Sequence, residues 1–188
     1  MNVYDFDKTI YNGDSTIDFY LFSLRKKPSL IRYLPIQIFG FVLYYCHKID
    51  KTRLKEKFFC FIKSIDCEKY VIEFWTQKQK KMAGWYTEQQ KDDDVVISAS
   101  PEFLLRPCCE QIGIKHLIAS EVDSKTGNFL NENCYGAKKV DRFKEAFGEC
   151  RIDSFYSDSL SDSPMAQLAD RAFLVTKKGI LKWGSNDE

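Results

Sequence analysis

Four short polar segments, separated by long stretches of the chain, hold the side chains best suited to chemistry. They are Asp5-Phe6-Asp7-Lys8-Thr9, Ser98-Ala99-Ser100, Lys138-Lys139 and Ser157-Asp158-Ser159-Leu160-Ser161-Asp162. Carboxylates that crowd together repel one another unless a cation lies between them. Oxygen ligands suit Mg²⁺, which keeps several waters and usually shares its shell with a phosphate. Brought together, these segments would form a magnesium site for a phosphorylated molecule.

The residue types in these segments match the needs of phosphoryl transfer. One carboxylate of Asp5-Phe6-Asp7 can attack phosphorus and form an aspartyl-phosphate, which splits one hard displacement into two easier steps. The other can protonate the leaving oxygen and then activate water. Ser98 offers a hydroxyl and a backbone N–H to phosphoryl oxygens, and a lysine offsets their charge.

The sequence around these segments alternates between strand and helix patterns. Strand patterns cover 3–6, 95–97, 116–119, 152–156 and 172–175, helix patterns cover 101–112, 137–147 and 164–169, and a hairpin is expected within 121–133. This alternation predicts an α/β fold with a mainly parallel, Rossmann-like sheet. Reactive groups collect at the carboxyl ends of parallel strands, and polar segments follow the first, second and fourth strands.

Residues 15–90 have a different composition from the rest of the chain. They contain 14 Lys and Arg against 7 Asp and Glu, and 16 of the 28 aromatic residues. Helical spacing places Leu54, Phe58, Phe61, Ile62 and Ile65 on one face, with Thr52 as the expected N-cap. We therefore expect an α/β core formed by 1–13 and 91–188, interrupted by an all-helical cap at 14–90.

The four segments, taken in order, resemble the motifs of the haloacid dehalogenase superfamily. The closest pattern is the phosphoserine-phosphatase-like subgroup, which carries a helical C1 cap after the first motif. The matching stretches are Asp5-Phe-Asp-Lys-Thr-Ile10, Ser98-Ala-Ser100, Lys139 within Gly136-Ala-Lys-Lys-Val140, and Tyr156-Ser-Asp-Ser-Leu-Ser-Asp-Ser-Pro164. The resemblance implies a Mg²⁺-dependent phosphomonoester phosphatase that acts on a small phosphorylated metabolite through an aspartyl-phosphate.

The resemblance also assigns a role to each motif residue. Asp5 resembles the nucleophile, and Asp7 the general acid and base, with its backbone carbonyl on the metal. The other assignments are Asp158 as a further metal ligand, Asp162 as support for the waters of the metal, and Ser98, Ala99 and Lys139 as the phosphate-binding residues. The metal ligands are thus expected from Asp5, Asp7 and Asp158.

Substrate choice is expected to depend on the cap. Asp14 stands where phosphoserine phosphatases carry a Glu that binds the substrate ammonium, and Arg53 is a candidate partner for a substrate carboxylate. Ser161 replaces the Asn usual in the fourth motif. These departures from the subgroup argue against phosphoserine as the substrate.

Simpler interpretations exist for the same residues. Asp7-Lys8-Thr9 also resembles the phosphorylation motif of cation-pumping ATPases, although Ile10 stands where those proteins have Gly. A calcium loop would need Gly and Glu where this chain has Ile10 and Thr16. Asp158 and Asp162 could be helix caps, and the choice between Lys138 and Lys139 stays open, since a lysine pair often forms a solvated face.

Composition excludes several broad classes. The formal charge of +1 gives no support for a nucleic-acid binder, and seven Cys with two His give none for a zinc site. Met1-Asn-Val-Tyr-Asp lacks the features of a secretory leader, so reduced thiols in the cytoplasm are expected.

The apolar stretch 30–46 is too short and too interrupted to span a bilayer, and we expect a buried or interfacial helix there. The basic, aromatic cap favours an anionic substrate with an apolar part, or contact with an anionic lipid surface.

The alternative functions are phosphoryl transfer to an alcohol, and a non-catalytic phosphate-binding or peripheral membrane protein. The oligomeric state cannot be predicted from these patterns.

Overall fold

Six strands form one sheet in the computed structural model, which describes residues 1–185. The strands are β1 (Asn2–Tyr4), β2 (Val95–Pro101), β3 (His116–Ser120), β4 (Ile152–Ser157), β5 (Ala169–Thr176) and β6 (Gly179–Lys182). Their spatial order is β3-β2-β1-β4-β5-β6, with every neighbouring pair parallel except β5 and β6. The predicted α/β class with a mainly parallel sheet is confirmed.

Helices cover both faces of this sheet, as a parallel sheet requires. They are α1 (Ser15–Lys26), α2 (Leu34–Tyr45), α3 (Lys51–Phe58), α4 (Cys67–Lys78), α5 (Gly84–Gln89), α6 (Glu102–Gln111), α7 (Ala137–Phe147) and α8 (Ser163–Ala166), with 3-10 turns at Pro28–Tyr33, Phe59–Ser64, Gln79–Lys81 and Leu160–Asp162. Val3 and Phe155 pack with Phe143 of α7 on one face. Tyr4 and Val96 face the other side, because side chains alternate along a strand.

The chain after β3 differs from the prediction in three places. β5 begins at Ala169 rather than at residue 172, so the helix expected over 164–169 is only the single turn α8. β6 was not predicted at all. It pairs with β5 through a two-residue turn at Lys177-Lys178, with Thr176 opposite Gly179. The expected hairpin within 121–133 is reduced to one antiparallel bridge between Val122 and Phe129.

The regular elements between β1 and β2 are all helices and 3-10 turns, with an isolated bridge between Tyr11 and Met82. The third helix differs from the prediction. Asp50, not Thr52, caps α3, because its Oδ1 accepts from the Arg53 N–H at 2.7 Å. The α-helix ends at Phe58, so the single helical face predicted from Leu54 to Ile65 does not form. A 3-10 turn follows instead and buries Phe61 and Ile62.

The insertion and the core share one cluster of buried side chains. Trp75 of α4 donates from Nε1 to the Leu104 carbonyl of α6 at 2.6 Å, and it packs edge-on against Phe6. Because this cluster runs through both segments, the division into a core of 1–13 and 91–188 and a cap of 14–90 stays a prediction.

Helix α2 is not a buried helix. Only Gln37 and Gly40 of its twelve residues are buried, although the helix is almost entirely apolar. Within residues 1–185 no helix is both long enough and apolar enough to cross a bilayer. All seven cysteines are free thiols.

Candidate active site

Side chains from all four polar segments line one cavity of about 330 Å³. It lies at the carboxyl ends of β1, β2 and β4. In the sheet, β2 and β4 flank β1 on opposite sides, and ligands of open α/β sheets bind where the strand order reverses in this way. Its core residues are Asp5, Asp7, Ser98, Ala99, Ser100, Lys139, Asp158 and Asp162. The tertiary structure therefore brings together every predicted catalytic, phosphate-binding and metal residue.

Asp5 lines this cavity and is held there by two contacts. It follows β1 directly, and its N–H donates to the Tyr156 carbonyl of β4 at 2.8 Å. Its Oδ1 accepts from Lys139 Nζ at 2.5 Å. Burial raises the pKa of Asp5 to about 7, against the opposing charge of Lys139. The ammonium of one lysine thus only partly compensates this buried carboxylate.

Lys139 lies in the first turn of α7 and is only 2% exposed. Its Nζ also donates to Asp162 Oδ2 at 2.7 Å. Burial alone would lower the pKa of Lys139, but the charges of Asp5 and Asp162 raise it, so the ammonium stays protonated. Lys138 points outward and pairs with Glu132 at 2.7 Å. The solvated-face interpretation is therefore wrong for Lys139 and right for Lys138.

Neither acidic residue of the fourth segment is a simple helix cap. Asp162 is buried, accepts from Ser157 Oγ at 2.8 Å and makes no capping hydrogen bond to α8. Ser159, rather than Asp158, caps the turn Leu160–Asp162. The Asp158 carboxylate lines the cavity without an ion pair or a side-chain hydrogen bond among the described residues. Burial raises its pKa, and the charge of Lys8 opposes that rise.

Asp7 is fixed by donors from two other elements. Its Oδ1 accepts from the N–H of Ser15, the first residue of α1, at 2.5 Å, and its Oδ2 accepts from Ser100 Oγ at 2.5 Å. Burial and the charge of Asp14 raise the pKa of Asp7, while the two serines oppose the rise. A carboxyl group held in place with a raised pKa is suited to carrying a proton.

The sequence pattern predicts that Ser98-Ala99-Ser100 follows the second strand. In the structure this segment lies within β2. The pairing of β2 with β3 is irregular between Ile97 and Pro101, which frees backbone groups from the sheet ladder. The Ser100 N–H donates to Ser98 Oγ at 3.1 Å. The segment therefore presents a hydroxyl and irregular backbone next to Asp7.

The two predicted specificity residues have different positions. Asp14 lines the cavity, and it also caps α1 by accepting from the Ile17 N–H at 3.0 Å. Arg53 does not line the cavity. Its side chain is 69% exposed and pairs with Glu56 of its own helix at 2.8 Å, so the structure gives no support to its predicted contact with a substrate carboxylate.

Sequence reasoning missed Lys55, which reaches the cavity from α3. Its Nζ donates to the Ala99 carbonyl at 2.7 Å and to Asn133 Oδ1 at 3.0 Å. Burial and the charge of Lys51 lower the pKa of Lys55 to about 8. No signal marks this lysine, because it is one of 14 basic residues in a segment without a motif.

The insertion also gives the cavity an apolar wall. The side chains of this wall are Ile17, Phe41, Leu54 and Phe58. Lys51 and Tyr135 also line the cavity, and the Lys51 ammonium lies 3.2 Å from the centre of the Tyr135 ring. The cavity therefore combines a polar floor from the core with an apolar and cationic rim.

Comparison with known proteins agrees with this arrangement. The sequence pattern of haloacid dehalogenase-like hydrolases matches residues 3–167, nearly the whole chain. The chain belongs to this family. Among curated proteins, this haloacid dehalogenase-like hydrolase is similar to the histidinol-phosphatase of Neisseria meningitidis serogroup C (strain 8013), with 25% identity over 118 residues. That match covers 56% of the chain, and the chain spans only 53% of the relative.

Solved structures share the fold of this haloacid dehalogenase-like hydrolase. A protein of unknown function from Bordetella pertussis Tohama I has a TM-score of 0.75 at 17% identity, covering 92% of this chain and 87% of its own. A phosphoserine phosphohydrolase-like protein from Francisella tularensis subsp. tularensis SCHU S4 has a TM-score of 0.57 at 16% identity, covering 92% and 86%. At these identities the likeness concerns the fold alone.

The donor set of this family member fits a magnesium ion. Burial raises the pKa of both Asp5 and Asp158, so their charges are under-compensated by the protein. No group of three or more Asp, Glu, His or Cys side chains in residues 1–185 forms a metal cage. Two carboxylates, the backbone carbonyl of Asp7 and waters are a sufficient shell for Mg²⁺, which seldom uses an all-protein cage.

Proposed function

We propose that this protein is a Mg²⁺-dependent phosphomonoesterase that works through a phosphorylated Asp5 on a small phosphorylated substrate. The observation that carries the proposal is the contact of the Asp5 carboxylate with Lys139 Nζ at 2.5 Å, in one cavity with Asp7, Ser98 and Asp158. Free cysteines fit a reducing compartment, so we place the activity in the cytoplasm.

In the first step, an oxygen of Asp5 bonds to phosphorus and the bond from phosphorus to the ester oxygen breaks. Asp7 gives its proton to that leaving oxygen, a role consistent with its raised pKa. In the second step, Asp7 takes a proton from water, the water oxygen bonds to phosphorus, and Asp5 leaves as a carboxylate. Inorganic phosphate is released.

Other side chains supply charge and position. Asp5 and Asp158 with the carbonyl of Asp7 would hold Mg²⁺, which would neutralise charge on the phosphoryl oxygens. Lys139 and the segment around Ser98 would bind the remaining phosphoryl oxygens. We further propose that the inserted segment 14–90 acts as a cap, because α1, α2 and α3 supply the rim of the cavity.

The test uses p-nitrophenyl phosphate with purified protein, in Mg²⁺ and in chelator. We expect turnover that requires Mg²⁺ and falls by about 10³-fold or more in Asp5→Asn, because the nucleophile is lost. Asp141→Asn, which changes an exposed carboxylate on α7, should keep wild-type turnover. Rapid acid quenching should trap phosphate on the wild-type protein and not on Asp5→Asn.

Specific results would overturn parts of this proposal. A phospho-enzyme that survives in Asp5→Asn and disappears in Asp7→Asn would make Asp7 the nucleophile. Full activity in chelator would remove the metal from the mechanism. A phosphorylated alcohol as the main product, in the presence of an added alcohol, would make the protein a phosphotransferase, and no turnover of any phosphomonoester would make it a binding protein.

A further inference from the structure

Helix α2 presents an apolar surface to the outside of the protein. Ile38, Val42 and Tyr45 lie at positions i, i+4 and i+7 and form one stripe, with Phe39 beside them. All four side chains are more than half exposed, and Tyr45 reaches 78%. We call these four residues the outer face of α2. Soluble proteins rarely expose a continuous apolar patch without a binding role.

The two buried residues of α2, Gln37 and Gly40, attach the helix to the protein. The amide of Gln37 accepts from Tyr20 Oη at 2.8 Å and donates to the Phe58 carbonyl at 2.9 Å. At Gly40 the helix lies against the Lys57 side chain, since a Cβ there would be 3.0 Å from Lys57 Cβ. Most helices are held by an apolar face turned inward. Here most of the apolar side chains face outward, and the buried residues of the helix are Gln37 and Gly40.

Basic residues flank the outer face. Residues 25–63 contain ten Lys and Arg against two Asp and Glu, a net charge of +8. The Lys57 ammonium lies 6.0 Å from the centre of the Phe39 ring. Exposed Arg32 precedes α2 by two residues, and exposed Lys48 follows it by three. Cations therefore flank both ends and one side of the apolar stripe.

We propose that the outer face of α2 docks on an anionic lipid bilayer, with the helix lying in the interface and the flanking cations among the headgroups. An apolar face bordered by Lys and Arg is the pattern of helices that bind membrane surfaces. The negative charge of the cytoplasmic leaflet complements the net charge of this region. The twelve residues of α2 are too few to span a bilayer, so the contact is peripheral.

A second copy of the chain fits this face less well. A symmetric dimer would bring the flanking cations Arg32, Lys48 and Lys57 of both copies together, and like charges opposed across an interface are unfavourable. A lipid surface, by contrast, supplies the opposite charge and buries the apolar stripe at the same time.

The docking face adjoins the catalytic cavity through one helix. Phe41 of α2 lines the cavity wall, while Val42 belongs to the outer face. Docking would therefore hold the mouth of the cavity near the lipid headgroups. The binding inference itself does not depend on the proposed phosphatase activity, because it rests on exposure and charge alone.

The test is sedimentation with vesicles of phosphatidylcholine alone and of an equimolar mixture with phosphatidylglycerol. We expect the wild-type chain to bind the mixed vesicles, to bind the neutral vesicles weakly, and to dissociate as salt increases. Phe39→Ser with Val42→Ser should weaken binding by about tenfold or more, since it removes two apolar anchors. Leu130→Ser is the matched control, because Leu130 is 67% exposed but lies outside α2.

The design separates docking from misfolding and from dimerisation. The double variant should keep the thermal unfolding of the wild type, because both side chains are already exposed in the monomer. Absence of wild-type binding to mixed vesicles, or equal binding by the double variant, would overturn the proposal. So would a solution dimer that the double variant converts to a monomer, since a second copy would then cover the face.

Discussion

At the scale of single residues, two adjacent lysines have opposite surroundings. Lys139 is buried between Asp5 and Asp162, whereas the side chain of Lys138 is half exposed and pairs with surface acids. Because consecutive residues of a helix point about 100° apart, the chain can place only one of them in the cavity. The pair therefore provides a test with a built-in control.

Lys139→Met should lower turnover of p-nitrophenyl phosphate by about 10²-fold, because a charge that stabilises the phosphoryl group is removed. It should also destabilise the protein by about 3 kcal/mol, since it leaves Asp5 and Asp162 buried without their cation. Steady-state kinetics and urea unfolding measure the two effects. Lys138→Met should change neither, and equal losses in both variants would contradict the assignment.

The contacts of Lys55 lead to a second prediction at this scale. Lys55→Met should raise KM by about tenfold with a smaller change in kcat, because it removes a cation and the hydrogen bond to the Ala99 carbonyl from the cavity rim. Arg53→Met is the control on the same helix, and its kinetics should match the wild type. A larger effect in Arg53→Met would restore the role predicted for it from the sequence.

At the scale of elements, the start of α1 is fixed by carboxylates. Asp7 holds the Ser15 N–H, and Asp14 caps the first turn. One turn later, Asp18 accepts from Tyr11 Oη at 2.7 Å and from Lys81 Nζ at 2.8 Å. These contacts join α1 to the loop after β1 and to the end of the helical insertion.

Asp18→Asn should show how this junction depends on pH. Burial alone would raise the pKa of Asp18, but hydrogen bonds from Lys81 and Tyr11 lower it. The contribution of Asp18 to stability is therefore complete above the unfolded pKa of about 3.9, and it is lost as pH falls through the lower folded value. We expect the variant to be less stable by about 1 kcal/mol at pH 7.

Urea unfolding across the pH range measures this difference. The gap between the wild type and Asp18→Asn should be constant down to about pH 5 and should shrink below about pH 4. A gap that widens toward acid pH would mean that the pKa of Asp18 is raised in the folded protein.

Element prediction succeeded where local patterns and tertiary contacts agree. β2, β4 and α7 are bounded by clear signals, and they lie close to where the sequence placed them. β6 was missed because its pairing with β5 is made across the turn at Lys177-Lys178, whose composition resembles a solvated loop. Thr52 was favoured as the cap of α3, but Asp50, two residues earlier, accepts from the Arg53 N–H in the first turn.

At the scale of the whole molecule, a turn of the core presses against the insertion. Gly127 adopts φ +77°, and a Cβ there would lie 2.5 Å from the Phe59 carbonyl oxygen. Glu56 of α3 accepts from the Phe129 N–H at 3.2 Å beside this contact. The close approach joins the turn after β3 to the inserted segment.

Gly127→Ala should destabilise the protein more than Gly113→Ala, which has a similar φ of +79° but no atom closer than 3.9 Å to the added Cβ. The strain of a positive φ, about 1–2 kcal/mol, is common to both variants. The excess in Gly127→Ala, about 1–3 kcal/mol, reports the contact with Phe59. Urea unfolding measures both, and equal losses would show that the contact relaxes freely.

The sequence by itself determined the α/β class, the order of the four polar segments and the residue types of the site. These features depend on periodicity and on motifs, which are local properties of the chain. Tertiary structure alone decided that Lys139 and not Lys138 faces Asp5, that Lys55 rather than Arg53 reaches the cavity, and that α2 turns its apolar face outward. Each of these choices depends on which side of a helix meets another element, and that is fixed by contacts between residues distant in sequence.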